Sequence, residues 1–349
     1  LDTLGFVLKS GTVVLAFAAV AAIFASLAAR QRSPHHGYLQ LRRLNGTLRR
    51  LGRQVRHAGL RGKAMKAALK ADRQADKAEQ KAVQAKQLAS EGKPGTDEGD
   101  AKAAPKKRIF VLNFNGDVRA RHVNELREEV TAIVAGANAH DEVLLRLSSP
   151  GGAVTGYGLA ASQLARLAQR NIPLTVAIDQ VAASGGYMMA CVADRIIAAP
   201  FAVVGSIGVV ATIPNVRKLL VRRGVDVEQV TAGDHKRTLS ILGENTEEGR
   251  AHFQADLDDM HLQFKEHVAR HRPQVDVEQV ATGAHWTADR AVGLGLVDEL
   301  LTSDDWLLAR HQDHDLIAVT WRPPQSVSRR LGVAVESTLV HAAQRLWAR

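Results

Sequence analysis

Pro173-Leu174-Thr175-Val176-Ala177-Ile178 and, after Asp179-Gln180, Val181-Ala182-Ala183-Ser184-Gly185-Gly186-Tyr187 decide how the rest of the chain is read. The first run has the length and apolar content of a buried strand, and the second breaks abruptly into glycine. A hydroxyl followed at once by two glycines suits a sharp strand-to-helix turn. There its oxygen is exposed and the next backbone N–H groups are open to an anion. Earlier in the chain, Leu147-Ser148-Ser149-Pro150-Gly151-Gly152 ends a second apolar strand in a glycine turn. One turn could supply a nucleophile and the other an oxyanion hole.

Outward from these turns, strand and helix patterns alternate. Strands are expected at Ile109–Leu112, Glu142–Leu147, Pro173–Ile178, Arg195–Ala198 and Gly205–Val210. Helices are expected at Arg119–Ala135, Thr155–Arg170, Gly185–Ala193 and Thr246–Arg270. That alternation indicates an α/β domain with a largely parallel sheet. The apolar stretch Val181–Pro214 is crossed by Asp194-Arg195 and by glycines, so it reads as globular core rather than a membrane span.

The chain has 349 residues and a formal charge of +10. That charge is local. Arg30–Ala71 carries 12 Lys or Arg and no Asp or Glu, leaving 34 basic against 36 acidic residues elsewhere. A near-neutral remainder argues against nucleic acid as a partner. The one cysteine, Cys191, excludes an intramolecular disulfide and fits a reduced compartment.

Gly11–Ala29 contains no charge. Roughly 20 apolar residues span the hydrocarbon core as a helix, whereas a cleavable signal has a shorter apolar region. The organisation expected is a membrane anchor over 1–30, a basic helical juxtamembrane segment over 31–89, a linker over 90–107, a globular domain over 108–303 and a C-terminal extension over 304–349. Leu41, Leu44, Leu48, Leu51 and Val55 form an apolar stripe that suits a membrane surface or self-association. Lys and Arg beside a spanning helix favour the cytoplasmic side and attract anionic lipid heads.

A serine needs a base. His235 with Asp179 or Asp234 would complete a triad, while Lys236 would serve in a dyad if burial keeps its amine neutral. On an extended Asp234-His235-Lys236-Arg237 the two side chains face opposite ways, so only one reaches the serine. The plain structural alternatives are an N-cap for Ser184, a turn for Pro150-Gly151-Gly152 and a solvated Lys236. His252, His261 and His267 fall on a helix at spacings that do not gather a ligand set, so no metal is expected.

Ser148-Ser149-Pro150-Gly151-Gly152, Ala183-Ser184-Gly185-Gly186-Tyr187, Gly205-Ser206-Ile207-Gly208-Val209 and Thr231-Ala232-Gly233-Asp234-His235-Lys236-Arg237-Thr238 together resemble the signal peptide peptidase A family of serine proteases, peptidase family S49. The likeness runs in order from about Arg108 to Leu300 and includes Gly243-Glu244-Asn245 and Thr282-Gly283-Ala284-His285-Trp286. It implies a ClpP/crotonase-like fold and peptide hydrolysis by a Ser-Lys dyad, with Ser184 as nucleophile and Lys236 as general base. It also implies an oxyanion hole from the amides of Gly185 and of Gly152 or Gly151, with Ser206 as a candidate for orienting the lysine. His235 departs from the family, which usually has tyrosine there, and this keeps the histidine base open. The resemblance further implies no cofactor, a peptide or protein substrate, a homo-oligomer, and residence in the bacterial inner membrane. Relatives often work at the outer face, against the charge rule. A crotonase-like acyl-CoA enzyme and a non-catalytic membrane scaffold are the competing readings.

Overall fold

The computed structural model describes residues 37–91, 107–233 and 236–323. The predicted span Gly11–Ala29, most of the predicted linker, and Asp234 and His235 lie outside them. Among the described residues no helix is long and apolar enough to cross a membrane. The chain divides into two compact units, Leu41–Val319 and the chain on either side of it. In the flanking unit the Arg322 guanidinium donates to Gln40 Oε1 (2.9 Å).

In chain order the elements are β1 (Tyr38–Arg43), α1 (Asn45–His57), α2 (Gly62–Glu91), β2 (Arg108–Asn115), α3 (Val123–Gly136), β3 (Glu142–Ser148), α4 (Val154–Ala168), β4 (Leu174–Ile178), β5 (Val181–Ala183) and α5 (Gly185–Ala190). They continue with β6 (Arg195–Ala198), β7 (Val203–Gly205), α6 (Arg217–Arg222), α7 (Glu247–His271), α8 (Val277–Val280), β8 (His285–Thr287), α9 (Ala288–Gly293), β9 (Glu299–Leu300), α10 (Ser303–Arg310) and β10 (Asp315–Arg322).

One sheet runs β1-β10-β2-β3-β4-β6-β9, and β5-β7-β8 form a second. From β10 through β9 every pairing in the large sheet is parallel. Four consecutive residues of β2, Ile109 to Leu112, are buried, as are Val143, Leu144 and Leu145 of β3. Strands apolar on both faces belong to parallel sheets covered on both sides. On one side Trp306 and Leu307 of α10 pack with Ile109, Val111, Leu144, Ala177, Ile197 and Leu316. The chain after residue 303 thus supplies a core helix and a sheet strand, where an extension was expected.

The basic segment also differs from expectation. Tyr38–Arg43 forms a strand rather than the start of a helix, because sheet pairing overrides a modest helix propensity. Leu44 and Leu48 then pack on the core, while Leu41, Leu51 and Val55 stay exposed, so the apolar stripe is shared between core and surface. The buried amide of Asn45 donates to the carbonyls of His311 (2.8 Å) and His314 (2.7 Å) and accepts from the Leu316 N–H (2.8 Å). The strand expected over Gly205–Val210 is instead Val203–Gly205, because Gly205 (φ 97°) and Ser206 (φ 52°) turn the backbone out of the sheet. Similarly α3 starts at Val123, four residues late, behind a turn containing Ala120 at φ 50°.

Candidate active site

Because β3 and β4 run parallel, the chain leaves both at the same sheet edge, where α/β folds place their sites. The two glycine turns are stitched together there. Ser149 N–H donates to the Val181 carbonyl (2.8 Å), and Ala183 N–H donates to the Ser149 carbonyl (3.0 Å). Strand β5 therefore delivers Ser184 beside the loop that follows β3.

Ser184 stands between β5 and α5 at φ 50°, ψ −120°, and its side chain makes no capping hydrogen bond. The N-cap alternative for its hydroxyl does not hold. Such a backbone position costs a residue with a Cβ about 1–3 kcal/mol and is kept only where its surroundings enforce it. Here the Ser184 N–H donates to the Gly205 carbonyl (2.8 Å), and its carbonyl accepts from the Met188 N–H (2.9 Å). The half-buried Oγ makes no hydrogen bond among the described residues.

Gly151 closes on the serine. At φ 92° it occupies backbone that favours glycine, and a Cβ there would lie 2.7 Å from Ser184 Cβ and 2.9 Å from the Gly185 nitrogen. Likewise, a Cβ at Gly185 would overlap the Tyr157 ring. Ser184, Gly151 and Gly185 thus converge. Gly151 N–H, however, is already committed to Ser149 Oγ (3.1 Å). The amides of Gly152 and Gly185 make no hydrogen bond among the described residues.

A buried relay holds the Gly151 turn, and it was not foreseen from the sequence. Ser149 Oγ and Tyr157 Oη are 2.6 Å apart, and Tyr157 Oη donates to the Asp117 carbonyl (2.9 Å). Since the phenol has one proton, the order is Gly151 N–H to Ser149 Oγ, Ser149 O–H to Tyr157 Oη, and Tyr157 O–H to Asp117. Ser149 and Tyr157 are both fully buried. Burial pushes the Tyr157 phenol up, with the Asp117 charge adding to this and the Ser149 hydrogen bond opposing it, so it stays a donor. The sequence signal was slight, since Ser149 simply follows Ser148 at the end of the strand, before Pro150.

Ser206 follows the carbonyl that accepts from Ser184, and its own N–H donates to the Ala284 carbonyl (2.6 Å). Lys236 is exposed on the segment between α6 and α7, its N–H donating to the Gly233 carbonyl (3.2 Å). Its ammonium makes no hydrogen bond to Ser184. The same segment exposes Val230, Ile241 and Leu242, and the chain just before it exposes Val210 and, on α6, Leu219. Asp179, weighed as a triad member, accepts from Ser303 N–H (2.8 Å) and faces Arg146 (3.6 Å), which occupies its carboxylate in the fold. His267 Nε2 lies 3.0 Å from the Met188 carbonyl on α5, and burial, with the Arg270 charge, holds its pKa below the usual histidine value. Cys191 is buried and its thiol is pushed up by that burial, so it is no nucleophile.

Among known proteins, the family model for peptidase family S49 matches residues 166–316, and that for the peptidase family S49 N-terminal region matches residues 1–164. Probable protease SohB of Haemophilus influenzae is 51% identical over 240 residues, 69% of this chain and 68% of that protein. Probable protease SohB of Buchnera aphidicola subsp. Acyrthosiphon pisum is 50% identical over 234 residues, 67% of this chain and 70% of that protein. A solved mutant of the 1510-N membrane-bound stomatin-specific protease with a substrate peptide is 12% identical, with a TM-score of 0.41 over 61% of this chain and 92% of that one.

Proposed function

The chain belongs to peptidase family S49, and from that we propose that it is a membrane-anchored serine endopeptidase of ClpP-like fold, hydrolysing peptide bonds with Ser184 and Lys236. The observation that carries this reading is the strained turn at Ser184, whose hydroxyl makes no hydrogen bond among the described residues and on which Gly151 and the Gly185 amide close.

Neutral Lys236 takes the Ser184 proton as Oγ attacks the scissile carbonyl, giving a tetrahedral oxyanion that accepts from the Gly152 and Gly185 N–H groups. Collapse expels the amine, which takes the proton from Lys236 and leaves an acyl ester on Ser184. Water, deprotonated by Lys236, then releases the acid and restores the serine. Ser206 is proposed to orient the lysine.

This chemistry requires the Lys236 segment to close on Ser184 and exclude water. Its exposed apolar side chains are the surface that a homo-oligomer would cover. The anchor reading rests on the uncharged run Gly11–Ala29, which suits substrates that are membrane-associated peptides or damaged proteins. In the test, the full chain in detergent hydrolyses an unfolded protein, whereas Ser184→Ala and Lys236→Ala are inactive with unchanged circular dichroism. Normal hydrolysis by either variant overturns the dyad.

A further inference from the structure

Between α1 and α2, away from the serine turn, lies a cavity of about 460 Å³ whose chemistry proteolysis does not use. Arg50 and Arg53 reach it from α1 and Arg73 from α2, while Leu60, Met65 and Leu69 supply an apolar wall. Asp72 crosses from α2 to face Arg53 (3.6 Å) and His57 (3.4 Å). That carboxylate ties the helix pair and offsets one guanidinium. Arg50 and Arg73 remain as exposed cations with no side-chain partner among the described residues.

Two chemistries meet in this space. A small inorganic anion would use the guanidinium groups but not the apolar wall, and an apolar ligand would leave the cations unpaired. An amphiphile with an anionic head uses both. We propose that the cavity is a binding site for an anionic phospholipid, its phosphodiester on Arg50 and Arg73 and its glycerol and upper acyl carbons on Leu60, Met65 and Leu69. Arg50 follows the end of the uncharged run at Ala29 by 21 residues, which keeps the site within reach of a bilayer surface. The inference rests on reading that run as an anchor and is independent of the serine chemistry.

Native mass spectrometry of the detergent-solubilised full chain, titrated with phosphatidylglycerol, phosphatidylcholine or inorganic phosphate, tests it. Two guanidinium groups at an anionic head predict a preference for phosphatidylglycerol of about thirtyfold, lost in Arg50→Gln/Arg73→Gln, with no displacement by millimolar inorganic phosphate. Equal retention of the two lipids, or an unchanged preference in the double variant, overturns the site. Displacement by inorganic phosphate also overturns it, assigning the cations to free anions. Release of the chain from membranes by alkaline carbonate counts against the anchor alone. Hydrolysis by Ser184→Ala counts against the protease alone.

Discussion

Replacing Ser149 by alanine cuts the buried relay at its centre. The Gly151 N–H loses its acceptor, the Tyr157 oxygen loses its donor, and a site closed to water cannot replace them. An orphaned buried donor costs about 1–3 kcal/mol, so Ser149→Ala should destabilise the protein by that amount. Tyr157→Phe removes the bonds to Ser149 and Asp117 and should cost a similar amount. Because the residues share one chain of bonds, their effects should not add, with a coupling of about 0.5–3 kcal/mol in a double-variant cycle. Urea denaturation of the four proteins measures this. A released Gly151 turn also shifts Gly152, and losing one oxyanion donor slows turnover by about 10²–10³. Additive stability effects together with normal turnover in Ser149→Ala would refute the claim that the relay positions the oxyanion turn.

Gly151→Ala places a methyl group 2.7 Å from Ser184 Cβ, and peptide hydrolysis should fall by at least about 10²-fold in a turnover assay. Asn45→Ala removes three hydrogen bonds between α1 and the β10 end of the core, and a urea midpoint should report about 1–3 kcal/mol of lost stability. His267 has a folded pKa below its ordinary value near 6.5, so the unfolded chain binds the proton more readily. The stability this contributes is complete above that value and is lost as pH falls through the lower folded pKa. Denaturation between about pH 5 and pH 8 should show the decline, and His267→Gln should flatten it; an equal slope in both proteins excludes His267 as the cause.

The central strands were legible because a parallel sheet buried on both faces leaves unbroken apolar runs, as at Ile109–Leu112 and Val143–Leu145. The serine turn was legible for a related reason, since a tight strand-to-helix reversal beside Tyr157 and Gly151 has little room for any Cβ but that of Ser184. Long-range partners were not legible. β1 is a strand by virtue of the sheet it joins, not of its own residues, and β10 enters that sheet parallel to β2 from far along the chain. The Ser149–Tyr157 relay depends on a turn and a helix meeting at 2.6 Å, which no local pattern encodes. Nor did spacing reveal that Ser149 takes the Gly151 amide, or that the Gly152 amide has no partner among the described residues. Lys236 was singled out by family motifs alone, and it stands exposed on its segment.

The most direct test of the account is the address of the covalent intermediate. The full chain is mixed with an activated acyl ester, quenched in acid, digested, and its peptides are sequenced by mass spectrometry. The account predicts a single acyl group on the peptide containing Ser184, absent from Ser184→Ala. An acyl group on another residue, or undiminished ester turnover by Ser184→Ala, would contradict it.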